Sequence, residues 1–152
     1  MKLLRVGELG QEKIAALDSK NIIRDLSNQV SDLTSETFNN EYLDKVKNID
    51  LAKQKEINPQ TRIGPFVNNP KNYFCVGKNF HLHALEVGSK APKDPMIFSK
   101  ANCISGPNDN IIIPKDSKKV DWECEIGVCL KEDVYQIKEN ESEKYIGGYF
   151  LA

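Results

Sequence analysis

The chain has 152 residues, of which 39% are hydrophobic and 28% are charged, and its formal net charge is -1. This composition supports a folded core and differs from that of disordered chains. The near-neutral charge argues against nucleic acid or an anionic membrane as a partner, and no apolar run is long enough for a membrane span. Residues 1–7 do not resemble a signal peptide, so we expect a cytoplasmic protein.

The first third of the chain is predicted to form short strands and one helix. Strands are predicted over residues 3–6, 14–17 and 22–26, and the turn-forming residues between the second and third predict a hairpin. Asn40 is a candidate N-cap for a short helix whose apolar face contains Leu43, Val46 and Tyr42.

Three prolines, Pro59, Pro65 and Pro70, interrupt regular structure after the helix. Residues 58–71 are therefore predicted to form a linker. The linker would separate a small amino-terminal module, residues 1–57, from a second domain, residues 72–152.

Beyond this linker we predict strands separated by turns, with one short helix. Strands are predicted over residues 73–76, 96–100, 111–114 and 147–152, with a turn over residues 105–110. In the helix predicted at residues 79–88, Asn79 is a candidate N-cap and Gly88 a candidate carboxyl-terminal stop. The apolar stripe of this helix would contain Phe80, Ala84 and Val87.

Four cysteines occur without any Cys-x-x-Cys spacing, namely Cys75, Cys103, Cys124 and Cys129. Three of them lie in or beside predicted strands. We interpret all four as reduced, small core residues of a cytosolic protein.

The stretch over residues 119–130 alternates strictly between polar and apolar residues, which predicts a half-buried strand. Glu123 and Glu125 would then project in parallel from its acidic side, about 7 Å apart. One interpretation is an outer strand facing solvent. The other is a site for a hard divalent ion such as Mg²⁺, which binds through one or two carboxylates together with water and substrate. Asp121 would support that site or simply mark the start of the strand.

His83 and Glu86 are the candidates for acid–base chemistry, because residues three apart on a helix are neighbours and a carboxylate orients an imidazole. An ordinary pair of surface residues is the alternative interpretation. Lys100 ends a predicted strand, where it could contact an anionic substrate or be only a surface lysine. His81 and His83 with cysteines would make a zinc site only if a further matching ligand cluster were present.

Several blocks of the chain, in their order and spacing, resemble the fumarylacetoacetate hydrolase family. They are CVGKNFHLHALE at 75–86, PMIFSK at 95–100, SGP at 105–107, DWECEI at 121–126 and GGY at 147–149. The resemblance runs from about Asn72 to the last residue, and the opening of the chain is similar to the amino-terminal module of bacterial members. Bacterial 2-oxo or β-diketo acid hydrolases and ureidoglycolate lyase-like proteins are the members it resembles.

The resemblance implies an α+β, mainly β, fold: an incomplete β-roll preceded by a small amino-terminal α+β module. It also implies a homodimer, or pairing with a chain that supplies the rest of the domain. A further metal-binding aspartate is expected just beyond Ala152, so we expect a carboxy-terminally truncated member. Phe80 replaces a tyrosine that is usual in the family.

The resemblance further implies that Glu123 and Glu125 bind Mg²⁺ or Mn²⁺, and that His83 and Glu86 form a dyad on a helix that orders over the substrate. The substrates are small 2-oxo or β-diketo acids. The reactions include C–C hydrolysis, decarboxylation, isomerisation and ureidoglycolate lyase chemistry. The alternative is a catalytically inactive relic, or an association partner that pairs through exposed strands.

Overall fold

The structure is a computed structural model that describes all 152 residues. Its strands are β1 Lys2–Val6, β2 Lys13–Leu17, β3 Ile23–Asp25, β4 Phe74–Gly77, β5 Met96–Ser99, β6 Ile126–Leu130 and β7 Ile146–Leu151. Its α-helices are α1 Asn40–Lys47 and α2 His81–Glu86, and 3₁₀ turns cover Leu51–Lys53 and Glu139–Tyr145. Small antiparallel sheets and few helices confirm the α+β, mainly β, expectation. The β-roll and the amino-terminal module remain predictions.

The chain forms two compact units. The first contains Met1–Asn68 and Ser105–Ala152, and the second contains Asn69–Ile104. The first unit combines two separate stretches of the chain, so this division does not test the predicted module boundaries at residues 57 and 72. Those boundaries stay predictions. No helix has the length and apolar content that crossing a lipid bilayer requires.

The first unit opens with the antiparallel sheet β1-β2-β3. The predicted hairpin between β2 and β3 is confirmed, with Ala15 opposite Asp25 and Leu17 opposite Ile23. One carboxylate oxygen of Asp18 accepts the backbone N–H groups of Lys20 (2.8 Å) and Ile22 (2.9 Å). These local hydrogen bonds replace ladder bonds in the turn and explain why the sequence alone predicts it.

Helix α1 covers the sheet and completes the main core of this unit. Ile14, Leu26 and Val46 are its largest fully buried side chains. The N-cap is Asn39 rather than the predicted Asn40, and its side chain accepts the Tyr42 N–H at 2.9 Å. Tyr42 is buried as predicted, and burial raises the pKa of its hydroxyl to about 12.

Residues 62–64, within the predicted linker, are hydrogen-bonded to the end of β1. Gly7 donates its N–H to the Arg62 carbonyl at 3.0 Å, and Gly64 donates to the Arg5 carbonyl at 2.8 Å. Val6 and Ile63 form an isolated antiparallel bridge. The prolines therefore end regular strands here, while backbone hydrogen bonds still hold the segment in place.

The strand predicted over residues 119–130 is present only from Ile126 to Leu130, where it pairs with β7. One further backbone pair joins Glu125 to Ala152, with N···O distances of 2.8 and 2.9 Å. Residues 119–124 have no facing strand, and an alternating pattern cannot form a sheet without a partner. The prediction was therefore too long at its amino end.

The predicted buried face of this strand is also wrong. Ile126 and Val128 are 67% and 47% exposed. On the opposite face, the Phe150 ring lies against Gly127 and packs on Phe66 with ring centroids 4.4 Å apart. A side chain at position 127 would collide with Phe150, so the glycine lets an aromatic ring cover that face.

In the second unit, β4 and β5 pair antiparallel with Phe74 opposite Ser99. Both strands were predicted, but β4 is not a buried strand, since Phe74 is 64% exposed. The strand predicted over residues 111–114, in the first unit, is absent, and those residues are exposed without regular structure. No strand faces them.

The prediction that the cysteines are core residues is wrong. All four are free thiols, and Cys103 and Cys124 are exposed, while Cys75 and Cys129 are half-buried. Burial raises the pKa of the Cys129 thiol to about 11, so it is a poor nucleophile.

Candidate active site

The candidate acid–base pair lies on helix α2, in the second unit. The helix begins after Phe80, which acts as N-cap without a side-chain hydrogen bond, so the prediction of Asn79 is off by one residue. Its end is as predicted: Gly88 has a positive φ of 68° and donates to the Leu85 carbonyl at 2.9 Å. Ser89 donates to the Ala84 carbonyl at 2.9 Å. Together these two bonds form a Schellman motif, which requires the glycine.

Helix α2 brings His83 and Glu86 side by side. The distance from His83 Nδ1 to Glu86 Oε2 is 3.9 Å, and the side chains are 55% and 81% exposed. This separation is too long for a hydrogen bond but short enough for a small side-chain movement to make one. Glu86 lies beside Nδ1, which leaves Nε2 as the ring atom free to exchange a proton with another molecule.

The apolar residues of α2 are mostly uncovered. Only Ala84 of the predicted stripe is buried, while Phe80 and Val87 are 47% and 52% exposed. Leu82 and Leu85 are also exposed, at 78% and 55%. A helix of two turns is marginal without packing, so this exposed apolar surface leaves α2 with little packing to stabilise it.

The candidate metal ligands lie in the first unit, just before β6. Glu125 is held by its backbone pair with Ala152, and Glu123 lies two residues upstream in an exposed segment. Asp121 accepts the N–H of Trp122 at 2.9 Å. The two carboxylates are the oxygen donors that Mg²⁺ and Mn²⁺ prefer, so the donor chemistry fits a hard divalent ion.

No group of three or more His, Cys, Asp or Glu side chains lies close enough together to hold a metal ion. Glu123 and Glu125 would therefore leave most coordination positions of an ion to water and substrate. Lys100 directly follows β5, and its N–H donates to the Tyr73 carbonyl at 3.1 Å. That bond fixes the backbone at the point where the lysine side chain leaves the strand.

A network of charged residues in the first unit escaped the sequence analysis. Arg62 forms a two-pronged ion pair with Asp109, at 2.7 and 2.6 Å, and contacts Glu12 at 2.7 Å. Arg5 pairs with Asp32 at 2.8 and 2.9 Å, and lies 3.6 Å from Glu12. Arginine within the apolar run of β1 was the available signal, because such a residue is buried only with partners.

The Arg62 guanidinium lowers the pKa values of the carboxyl groups around it. Its hydrogen bonds hold the pKa values of Glu12 and Asp109 below their ordinary range, and those two carboxylates raise the pKa of Arg62. All three groups are therefore charged at neutral pH.

Comparison with known sequences matches this chain to one family and to several relatives. A family model described as the C-terminal domain of fumarylacetoacetate (FAA) hydrolase matches residues 71–152. A protein of Burkholderia orbicola is 41% identical over the whole chain, and one of Burkholderia ambifaria is 40% identical. Both have the provisional name of hydrolase. The chain spans about half, 54%, of the length of these relatives.

Two solved structures share the fold. A fumarylacetoacetate hydrolase from Exiguobacterium antarcticum superposes with a TM-score of 0.76 at 22% identity, covering 99% of this chain and 54% of that one. A Mycobacterium smegmatis protein provisionally assigned as HpcE superposes with a TM-score of 0.67 at 24% identity, covering 99% of this chain and 53% of that one. Since the family model covers more than half of the residues, the chain belongs to the fumarylacetoacetate hydrolase family.

Proposed function

We propose that this protein is a divalent-metal-dependent hydrolase that cleaves a C–C bond in a small 2-oxo or β-diketo acid of the acylpyruvate type. Family membership supports hydrolase chemistry. The observation that carries the residue assignment is the His83–Glu86 pair, 3.9 Å apart on a helix inside the matched residues. The alternative is lyase, decarboxylase or isomerase chemistry on a related acid, carried out by the same residues.

Glu123 and Glu125 are the proposed ligands of Mg²⁺ or Mn²⁺. A bound ion supplies Lewis-acid activation of a substrate that presents a carboxylate beside a ketone. The position of Glu125 is defined by its backbone pair with Ala152. Lys100 is the proposed contact for a substrate carboxylate.

His83 is the proposed general base, and its Nε2 would take the proton from the attacking water. Glu86 would accept the Nδ1 proton in a hydrogen bond, which orients the ring and stabilises the imidazolium that forms. The exposed Phe80, Leu82 and Leu85 would become buried as α2 closes, and that burial excludes water from the reacting groups.

Association with a second chain is a proposal of its own. The outer face of β6 and β7 exposes Ile126, Tyr149 and Leu151, at 67%, 69% and 76%. Neighbouring apolar residues on one sheet face favour burial against another surface. We propose a homodimer, or pairing with a chain that completes the β-roll, and light scattering of the purified protein measures its mass. The proposed location is the cytoplasm.

The test of the proposed function uses the protein expressed from its complete open reading frame. Glu123→Gln and Glu125→Gln remove one charge each with little change in shape. Both variants are expected to lose Mn²⁺ binding, measured by calorimetry, together with Mg²⁺-dependent acylpyruvate cleavage, measured by absorbance. Glu139→Gln, at an exposed glutamate of the second 3₁₀ turn, is the matched control and should retain both. Unchanged metal binding in both glutamate variants would contradict the assignment.

A further inference from the structure

The Ser105–Asp109 turn, residues 105–109, is closed by the same aspartate that binds Arg62. Asp109 Oδ2 accepts the Gly106 N–H at 2.7 Å, and the Asp109 N–H donates to the Gly106 carbonyl at 3.1 Å. Asp109 therefore has two functions at once: it closes its own turn and it binds the guanidinium of a residue 47 positions away.

The turn lies directly on the backbone of residues 63–64. A Cβ at position 106 would lie 2.2 Å from the Ile63 carbonyl oxygen and 3.0 Å from the Cα of Gly64. Such a close approach is possible only for glycine. The turn and the segment that follows β1 are thus fitted to each other at the level of the main chain.

Arg62 is the residue that joins these pieces. Besides its two bonds to Asp109, it donates to Glu12 Oε1 at 2.7 Å and to the Gly7 carbonyl at 3.2 Å. The Glu12 side chain is only 5% exposed and lies against Gly64. The forked geometry of arginine meets the two oxygens of Asp109 while still reaching Glu12, which a lysine cannot do.

The Ser105–Asp109 turn is followed by an exposed segment without helix or strand, residues 110–124, which we call the 110–124 loop. Its far end is fixed where Glu125 pairs with Ala152. Its near end is fixed at Asp109. Holding both ends of a loop reduces the conformations available to residues between them, including Glu123.

We propose that Arg62 is a positioning residue, which holds the Ser105–Asp109 turn on residues 63–64 and thereby restricts the 110–124 loop that contains Glu123. The consequence for metal binding rests on the proposed function. The effect of Arg62 on the turn does not rest on the proposed function. The effect on the turn and the effect on metal binding can therefore be refuted separately.

The test measures hydrogen exchange at the turn in the full chain. Arg62→Ala and Asp109→Asn should each speed exchange of the Gly106 amide by about tenfold, the size expected for losing charge-assisted hydrogen bonds. Asp109→Asn leaves the side-chain volume almost unchanged, so this variant tests the proposal even if Arg62→Ala folds poorly. Arg62→Lys should give an intermediate rate, because it keeps the charge without the fork.

Arg24→Ala is the matched control, since Arg24 also pairs with an aspartate, Asp18, at 2.9 Å, while its other contacts are to the Gln54 carbonyl and Glu56 rather than to the turn. It should leave Gly106 exchange unchanged. Equal acceleration by Arg24→Ala, or a rate within twofold of the unaltered protein for Arg62→Ala and Asp109→Asn, would overturn the proposal.

Mn²⁺ titration provides the second measurement. Arg62→Ala should weaken Mn²⁺ binding severalfold, whereas Arg24→Ala should not. Faster Gly106 exchange with unweakened Mn²⁺ binding would refute the positioning role. Absence of Mn²⁺ binding by the unaltered protein would contradict the proposed metal pair, while the exchange result would still support the role of Arg62 at the turn.

Discussion

Replacing His83 with alanine removes the proposed base from α2 and keeps a good helix former in its place. His81 lies two residues earlier on the same helix, is also exposed, and has no assigned role in hydrolysis. The pair His83→Ala and His81→Ala therefore compares loss of the same ring at two positions of one short helix. A difference in activity between the two variants therefore reports the role of the histidine at position 83, not the general effect of losing a histidine.

The expected magnitude follows from the role. A positioned general base contributes about 10²- to 10⁴-fold to the rate, so His83→Ala should lower kcat by at least about a hundredfold. Glu86 acts only through His83, by orienting the ring and stabilising the imidazolium that forms. Glu86→Gln should therefore lower kcat, but by less than His83→Ala does.

The assay is steady-state cleavage of an acylpyruvate at saturating Mg²⁺ by the protein from its complete reading frame. Mn²⁺ affinity is measured alongside, because a base does not bind the metal. His83→Ala should lose turnover and retain Mn²⁺ affinity, and His81→Ala should retain both. The assignment is refuted if His81→Ala is as inactive as His83→Ala, or if His83→Ala loses Mn²⁺ binding as Glu123→Gln does.

Two further predictions concern stability. Leu26→Ala should lower the free energy of unfolding in urea by about 2–5 kcal/mol, because Leu26 is fully buried. Leu9→Ala, at a 77% exposed position, should lower it little. Similar losses for both variants would contradict the described core. Because Arg62 holds the folded-state pKa of Glu12 below its ordinary 4.5, the stability from this contact is fully present above pH 4.5 and is lost as the pH falls through the lower folded value. Glu12→Gln should accordingly lower the urea midpoint at neutral pH, and its difference from the unaltered protein should shrink in acid; a constant difference would refute this.

Local patterns predicted much of the fold because their causes lie within a few residues. The β2–β3 hairpin follows from the hydrogen bonds that Asp18 makes to its own turn, and the end of α2 follows from the left-handed conformation of Gly88. The family could be predicted for the same reason, since its motifs are short and their order is visible in the chain. His83 and Glu86 were found together because a helix makes residues three apart neighbours.

Tertiary structure decided which segments have partners. The alternation over residues 119–130 predicts a strand, but only Ile126–Leu130 faces β7, so Glu123 lies in a loop. The covered side of β6 depends on Phe150 packing over Gly127, which no alternation of polar and apolar residues reveals. The Arg62–Asp109 pair joins residues 47 positions apart, and nothing local to either residue indicates the other. The sequence by itself therefore determined the hairpin, the helix end, the family and the proximity of His83 to Glu86. Only the tertiary structure decided strand length, the exposed face of β6 and the charged network, because these depend on contacts between distant segments.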